Sequence, residues 1–194
     1  MMPSKIVSTY TSYYGGSDEG RKENIRLGAA FINNILLKPG DEFEFWKYIG
    51  ETTYERGFKM AGVYQNGRPA SGMGGGLCQV STTLYNAALL ADLKITERSP
   101  HSLPVHYVPL GLDATVSTGI HTLRFVNNTP NYILIKSKTD ANNITFEILG
   151  IPVDGKTVKV YSKNVSGNAA DAYKDIYMNE ELVEHEYLGR SKYR

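Results

Sequence analysis

One cysteine, Cys78, occurs in the 194-residue chain, within GMGGGLCQVSTTLYNAALLA at residues 72–91. Glycines give way here to an apolar run, a pattern that predicts a turn followed by a helix with the thiol in its first turn. The first amides of a helix have no intrahelical partner, and together with the macrodipole they favour an anion. A thiol so placed is biased toward thiolate, the form that attacks electrophiles. Gly74, Gly75 and Gly76 lack Cβ atoms, so a substrate can approach the backbone there, and N–H groups from Gly75 to Cys78 can face a developing oxyanion, with Gln79 as a further donor. The plainer reading is a small buried hydrophobe after an ordinary glycine turn.

A nucleophilic thiol needs a base and a group that orients the base. Four histidines are available. His101 and His106 lie in the proline-rich SPHSLPVHYVPLG, and alternation in an extended segment sends them to opposite faces. His101, at a loop-like position, is the preferred base, with His106 the substitute. Asp113, in GLDATV, is the leading orienting group, although an aspartate beside glycine also commonly forms a turn or cap. Cys, His, Asp is the chain order of papain-like cysteine hydrolases, a likeness of roles only. Zinc is the competing chemistry: His101, His106, Asp113 and His121 are competent ligands, but their separations match neither HExxH nor a paired CxxC. The expectation is no metal and no cofactor. Tyr85 and Tyr107 are available to stack on a sugar or peptide, or to fill half-buried positions.

These groups need a scaffold. Hydrophobic residues make up 41% and charged residues 21% of the chain, a globular composition. A net charge of +1 with no dense Lys/Arg run argues against a nucleic-acid partner. One cysteine excludes an intrachain disulfide framework and leaves the compartment open. No apolar run approaches ~18 residues, and the first residues contain no signal-peptide core. Both a cytoplasmic protein and one whose leader and anchor lie outside this sequence fit.

Residues 5–14 read as extended. Ser17 and Asp18 offer an N-cap to a helix running to about Leu36, with Ile25, Ala29, Ile32 and Leu36 at helical spacing. Residues 42–49 suggest a strand, and the polar stretch to Gly72 is expected to fold over the glycine turn. The second main helix starts at Cys78. Two strands joined at residues 127–130 and another at 142–150 follow. After Gly150 only short strand-like pieces are expected, at 157–161 and 181–187, separated by residues 167–170. The fold class expected is α+β, two main helices packed on a largely antiparallel β-sheet over residues 1–150, with 151–194 a small C-terminal β-rich appendage or tail.

From residue 8 to about 150 the chain resembles the VanW family. The family's GGG-x-CQVSTTLYNA pattern falls on Gly74, Gly75, Gly76, Cys78, Gln79, Ser81, Thr82, Thr83, Tyr85 and Asn86. Its HS-x-PV-x-YVP element falls on His101, Ser102, Pro104, Val105, Tyr107, Val108 and Pro109. Its G-R-DATV element is met by Gly111, Asp113, Ala114, Thr115 and Val116, with Leu112 where an arginine is usual. If that arginine grips an acidic substrate group, this chain lacks the contact. The resemblance implies an extracytoplasmic, cell-envelope location, a membrane anchor lying outside this sequence, and peptidoglycan or its precursors as partner. The reading that follows is a cysteine-dependent amidase, peptidase or transpeptidase of wall peptides. Cys78, His101 and Asp113 would be catalytic. Gly74, Gly75, Gly76, Gln79, Ser81, Thr82, Tyr85, Ser102 and Tyr107 would hold substrate or oxyanion. A non-catalytic peptidoglycan-binding or scaffolding module and a metal-dependent peptidase are the alternatives.

Overall fold

The computed structural model describes residues 3–65 and 68–194. The elements are β1 (Lys5–Tyr13), α1 (Glu19–Phe31), β2 (Ile35–Leu37), β3 (Glu42–Glu44), α2 (Phe45–Ile49), β4 (Met60–Gln65), β5 (Arg68–Met73), α3 (Leu77–Leu90), β6 (Lys94–Glu97), β7 (Arg124–Val126), β8 (Ile133–Thr139), β9 (Asn143–Gly150), β10 (Lys156–Ser166), β11 (Ala169–Met178) and β12 (Glu181–Lys192). None of the helices in the described residues is long and apolar enough to cross a membrane.

The expected α+β arrangement of two main helices on a single antiparallel sheet is overturned. The described residues are mostly β, 43% strand against 17% helix, and their strands divide among four small antiparallel sheets; of the three helices among them, two reach seven residues. The sheets run β1-β9-β8-β2, β10-β11-β12, β3-β7-β6 and β4-β5. Periodicity marks extended residues but says nothing of which strands pair, so it cannot distinguish one sheet from four.

Much of the unforeseen strand lies beyond Gly150, where the sequence promised only short pieces. Residues 156–192 are three long strands in one meander, and Ala169, Ala170 and Ala172, read as part of a spacer or passed over, belong to the middle one. Small side chains suit it because β11 lies against the rest of the molecule: Ala170, Ala172 and Ile176 are buried. On the opposite face Tyr161, Tyr173 and Tyr187 stand across neighbouring strands with ring centroids 5.5 Å apart, the cross-strand pairing that stabilises a sheet.

Two other expectations shift locally. The first helix is capped by Asp18, whose carboxylate accepts the Arg21 N–H at 2.8 Å, but it ends at Phe31 and not near Leu36. Asn34 takes a left-handed backbone (φ 60°), and the chain turns into β2, where Ile35 and Leu37 point inward and Leu36 outward. Residues 42–49 break in the middle because the Glu44 side chain accepts the Trp46 and Lys47 N–H groups and caps the short α2.

Helix α3 runs through the interior. Every residue from Leu77 to Leu89 except Cys78 is buried, the pattern of a helix enclosed on all sides. Its start is pinned by Asn24 of α1, fully buried, which donates to the carbonyls of Lys59 and Gly75 (both 2.9 Å) and accepts the Lys59 N–H (2.8 Å). Asn24→Ala strips three backbone groups of a fully buried partner. It should lower the unfolding free energy by about 2–4 kcal/mol, measured by urea denaturation; a loss under about 1 kcal/mol would show that the glycine turn holds itself.

Candidate functional site

The turn before α3 is built by close packing. Gly74 and Gly76 have φ of 76° and 111°, a region side chains disfavour. A Cβ on Gly75 would lie 2.7 Å from the Gly62 carbonyl oxygen, so β4 itself excludes a side chain there. All three glycines are buried: they let the turn seat against β4 and α1, and Cys78 is the half-buried residue at its exit. The Leu77 N–H is spent on Gly74 O (3.2 Å) and the Gln79 N–H on Gly76 O (2.9 Å).

From Cys78 a polar stripe runs along α3 at helical spacing and holds a segment that has no strand partners of its own. Asn86 donates to Leu112 O (2.8 Å). Thr82 Oγ1 accepts the Ala114 N–H (2.9 Å), and the Ala114 carbonyl takes the hydroxyls of Ser81 (2.5 Å) and Thr82 (3.2 Å). At the end of the stripe the Val116 N–H donates to Cys78 Sγ at 3.5 Å, and Thr115 Oγ1 is also 3.5 Å from the sulfur. Ser81 and Thr82, expected to touch substrate, spend their hydroxyls on this buried backbone.

The ladder fixes Asp113. Its Oδ2 lies 2.6 Å from His101 Nδ1 and accepts the His101 main-chain N–H, also at 2.6 Å. Its Oδ1 accepts the Tyr193 hydroxyl (2.6 Å) and Arg98 Nη2 (3.2 Å). Burial raises the Asp113 carboxyl pKa, but His101, Tyr193 and Arg98 outweigh it and hold the group below the ordinary carboxylate range. An ionised carboxylate only accepts, which puts a proton on Nδ1 and leaves Nε2 for the thiol. His101 and Cys78 are close enough to shift one another. Burial works against the imidazolium, yet Asp113 and the sulfur raise the His101 pKa to about 9. Burial likewise pushes the thiol up, while nearby His101, then Thr115 and the Val116 backbone, bring it below the ordinary value. Of the sequence candidates, His101 and Asp113 are in direct contact, and Cys78 lies close enough for its charge and that of His101 to act on one another.

The other candidates disperse. Gln79 is buried with its amide donating to Ser12 Oγ (3.0 Å) and Tyr13 O (2.9 Å), so it braces β1 and has no donor left for an oxyanion. Tyr85 is buried beneath the Arg98 guanidinium, 5.6 Å from its centroid. Ser102 is exposed, and its carbonyl accepts the Arg194 N–H. Tyr107 stays at the site: burial and then the Cys78 charge raise its phenol well above its usual value. His106 is exposed, and His185 pairs with Asp175 on the C-terminal sheet (2.6 Å). Among the described residues no three His, Cys, Asp or Glu side chains converge as metal ligands would. Leu112, where the resemblance expects arginine, packs against Val108 and Ala172.

Arg98 and Tyr193 escaped the sequence reading. Arg98 follows β6 with no periodicity to mark it, yet it donates to the carbonyls of Gly111 (3.0 Å) and Asp113 (2.6 Å) besides the carboxylate. Tyr193 comes from the segment read as an appendage, 80 residues from its partner, and its oxygen also accepts the Gly111 N–H (2.7 Å). The one signal in the sequence was indirect: a stripe of hydroxyl and amide residues inside an apolar helix implies a neighbouring backbone in need of partners.

The family model described as VanW like protein matches residues 20–149. The uncharacterized protein YoaR of Bacillus subtilis is 42% identical over 132 residues, 68% of this chain and 44% of YoaR. The vancomycin B-type resistance protein VanW of Enterococcus faecalis is 33% identical over 116 residues, 57% of this chain and 42% of that protein. The chain thus spans less than half the length of either relative. No solved structure matches it significantly.

Because the Asp113 pKa is depressed in the folded state, its bonds stabilise the fold above the unfolded value, about 3.9, and that contribution is lost as pH falls through the lower folded value. Asp113→Asn should therefore cost about 3 kcal/mol at pH 6–7, and the gap from the unaltered protein should close as pH drops below about 4. Urea titrations across pH 2.5–7 check this; a gap independent of pH would mean the carboxylate is not held ionised by its partners.

Proposed function

This chain belongs to the VanW-like family, and on that premise we propose that it is a cell-envelope domain acting on wall peptides through the Cys78 thiolate. The observation that carries the reading is the His101 imidazole, whose Nδ1 is 2.6 Å from a buried carboxylate with four donors and which is near enough to Cys78 to lower its pKa. The printed name of the Enterococcus relative, a vancomycin resistance protein, supports peptidoglycan or its precursors as the target and an extracytoplasmic setting.

In the proposed reaction the thiolate attacks an amide carbonyl carbon. The oxyanion formed is held at the first turn of α3, where the Cys78 N–H is not spent in the turn's own bonds. His101 Nε2 gives its proton to the departing amine, the C–N bond breaks and a thioester remains. Water or a second amine then attacks the thioester while His101 Nε2 takes the nucleophile's proton, the C–S bond breaks and the Cys78 thiolate is released, which gives hydrolysis or transpeptidation respectively. Asp113 keeps the imidazole in the required tautomer throughout.

Two measurements test this. As the chain has a single cysteine, alkylation by iodoacetamide reports Cys78 alone; its rate should reach half-maximum well below pH 8.5, the value of a free thiol. Incubation with purified peptidoglycan followed by mass spectrometry of the muropeptides should show new products with the unaltered protein. Cys78→Ser should fold and lose at least about 10³-fold in turnover, His101→Ala should also lose activity, and His185→Ala should keep it. Wall binding that persists in Cys78→Ser, with no products from the unaltered protein and an ordinary thiol titration, would overturn catalysis in favour of a binding module.

A further inference from the structure

Arg21 is a cation set against the glycine turn that leads into Cys78. It lies in the first turn of α1, and its stem runs along the glycine turn: a Cβ on Gly76 would be 3.2 Å from Arg21 Cγ. Its Nη2 donates to Gln79 Oε1 at 2.9 Å. That oxygen cannot swing away, because the NH2 of the same buried amide is anchored on Ser12 and Tyr13. The guanidinium is thus held in one orientation before any ligand arrives, which removes much of the entropy cost of using it. The carboxylates nearest in sequence are engaged elsewhere: Asp18 caps α1 and Glu19 pairs with Lys22 at 2.9 Å. Among the described residues no carboxylate pairs with Arg21.

Arg21 touches Gly76 and Gln79, which flank Cys78 at the start of α3, so the guanidinium sits at the same helix start as the thiol, and the charges of both act on the Tyr107 phenol, Cys78 raising its pKa and Arg21 lowering it. A half-buried guanidinium with free donors, next to a helix start of the same sign, is matched by a planar anion. We propose that Arg21 is a specificity residue that holds a carboxylate of the substrate, so that the site takes acyl donors bearing a free carboxylate close to the amide Cys78 attacks. The inference rests on Cys78 being the reactive group of the proposed site.

Two alkylating agents of nearly equal size, iodoacetate and iodoacetamide, differ by one carboxylate and serve as probes. Their rates with the whole chain, folded and in urea, should be measured at pH 7 and pH 9.5 and at low and high salt. The iodoacetate-to-iodoacetamide ratio should be about fivefold higher in the folded protein than in the unfolded one, and 0.5 M NaCl should erode it. Arg21→Gln should lower the iodoacetate rate about three- to tenfold while leaving the iodoacetamide rate within about twofold. Arg21→Lys, which keeps the charge but loses the fork, should recover much of the ratio. A ratio unchanged in a folded Arg21→Gln protein overturns the proposal. Should that variant fail to fold, a ratio in the unaltered protein that equals the unfolded value and ignores salt overturns it as well. An ordinary iodoacetamide titration would defeat the acyl chemistry, whereas the ratio at pH 9.5, where any thiol is ionised, still reads Arg21.

Discussion

The polar stripe on α3 is the constraint on which the site depends. Between β6 and β7 the chain runs for 26 residues, 98–123, without joining a named strand, and its buried part has no sheet to satisfy its amides and carbonyls. Asn86, Thr82, Ser81 and Cys78 supply those partners. An isolated buried N–H or C=O costs as much as a lost hydrogen bond, so the segment stays in place only while this helix face remains opposite. The helix meanwhile cannot shed its polar groups to solvent, since it is enclosed all round. Each side satisfies the other, and the position of Asp113 is the outcome.

The same logic explains why the C-terminal sheet belongs with the rest. Gly111 has φ of 89°, and a Cβ there would lie 3.4 Å from the Ala170 Cβ. Backbone and sheet meet closely because β11 offers alanine where it faces inward. Lys174, almost fully buried, pairs with Asp92 at the end of α3 and with Glu186 on β12 (both 2.7 Å). Tyr193 completes the contact at the Asp113 carboxylate. The family match ends at residue 149, yet the environment of its most buried carboxylate is finished by residues well beyond that point.

Local chemistry was legible in the sequence and assembly was not. The glycine-to-apolar transition at residues 72–91 located the start of α3, and alternation about Pro104 separated His101 from His106; both are local properties. The count of sheets, the splitting of residues 42–49 and the length of β10–β12 depend on which strands find one another, and no single-segment pattern encodes that. Leu36 shows the failure in small: its spacing from Ile25, Ala29 and Ile32 fits a helix face, but a left-handed Asn34 intervenes and the residue ends on a strand pointing outward. Gln79, Ser81 and Thr82 were read as substrate or oxyanion contacts, yet Ser81 and Thr82 serve the Ala114 backbone and Gln79 braces β1, in each case with partners dozens of residues away.

Tyr193 has a consequence for the order in which the molecule is completed. A ribosome delivers Cys78 and His101 long before residue 193, and closing an 80-residue separation is among the slower events available to a chain of this size. Until that closure Asp113 lacks one of its donors and the Gly111 N–H lacks its acceptor, the Tyr193 hydroxyl. The nascent polypeptide therefore carries its thiol through synthesis before the Asp113 carboxylate has all its donors, and completion of that carboxylate's setting waits on translation of β12 and the residue after it.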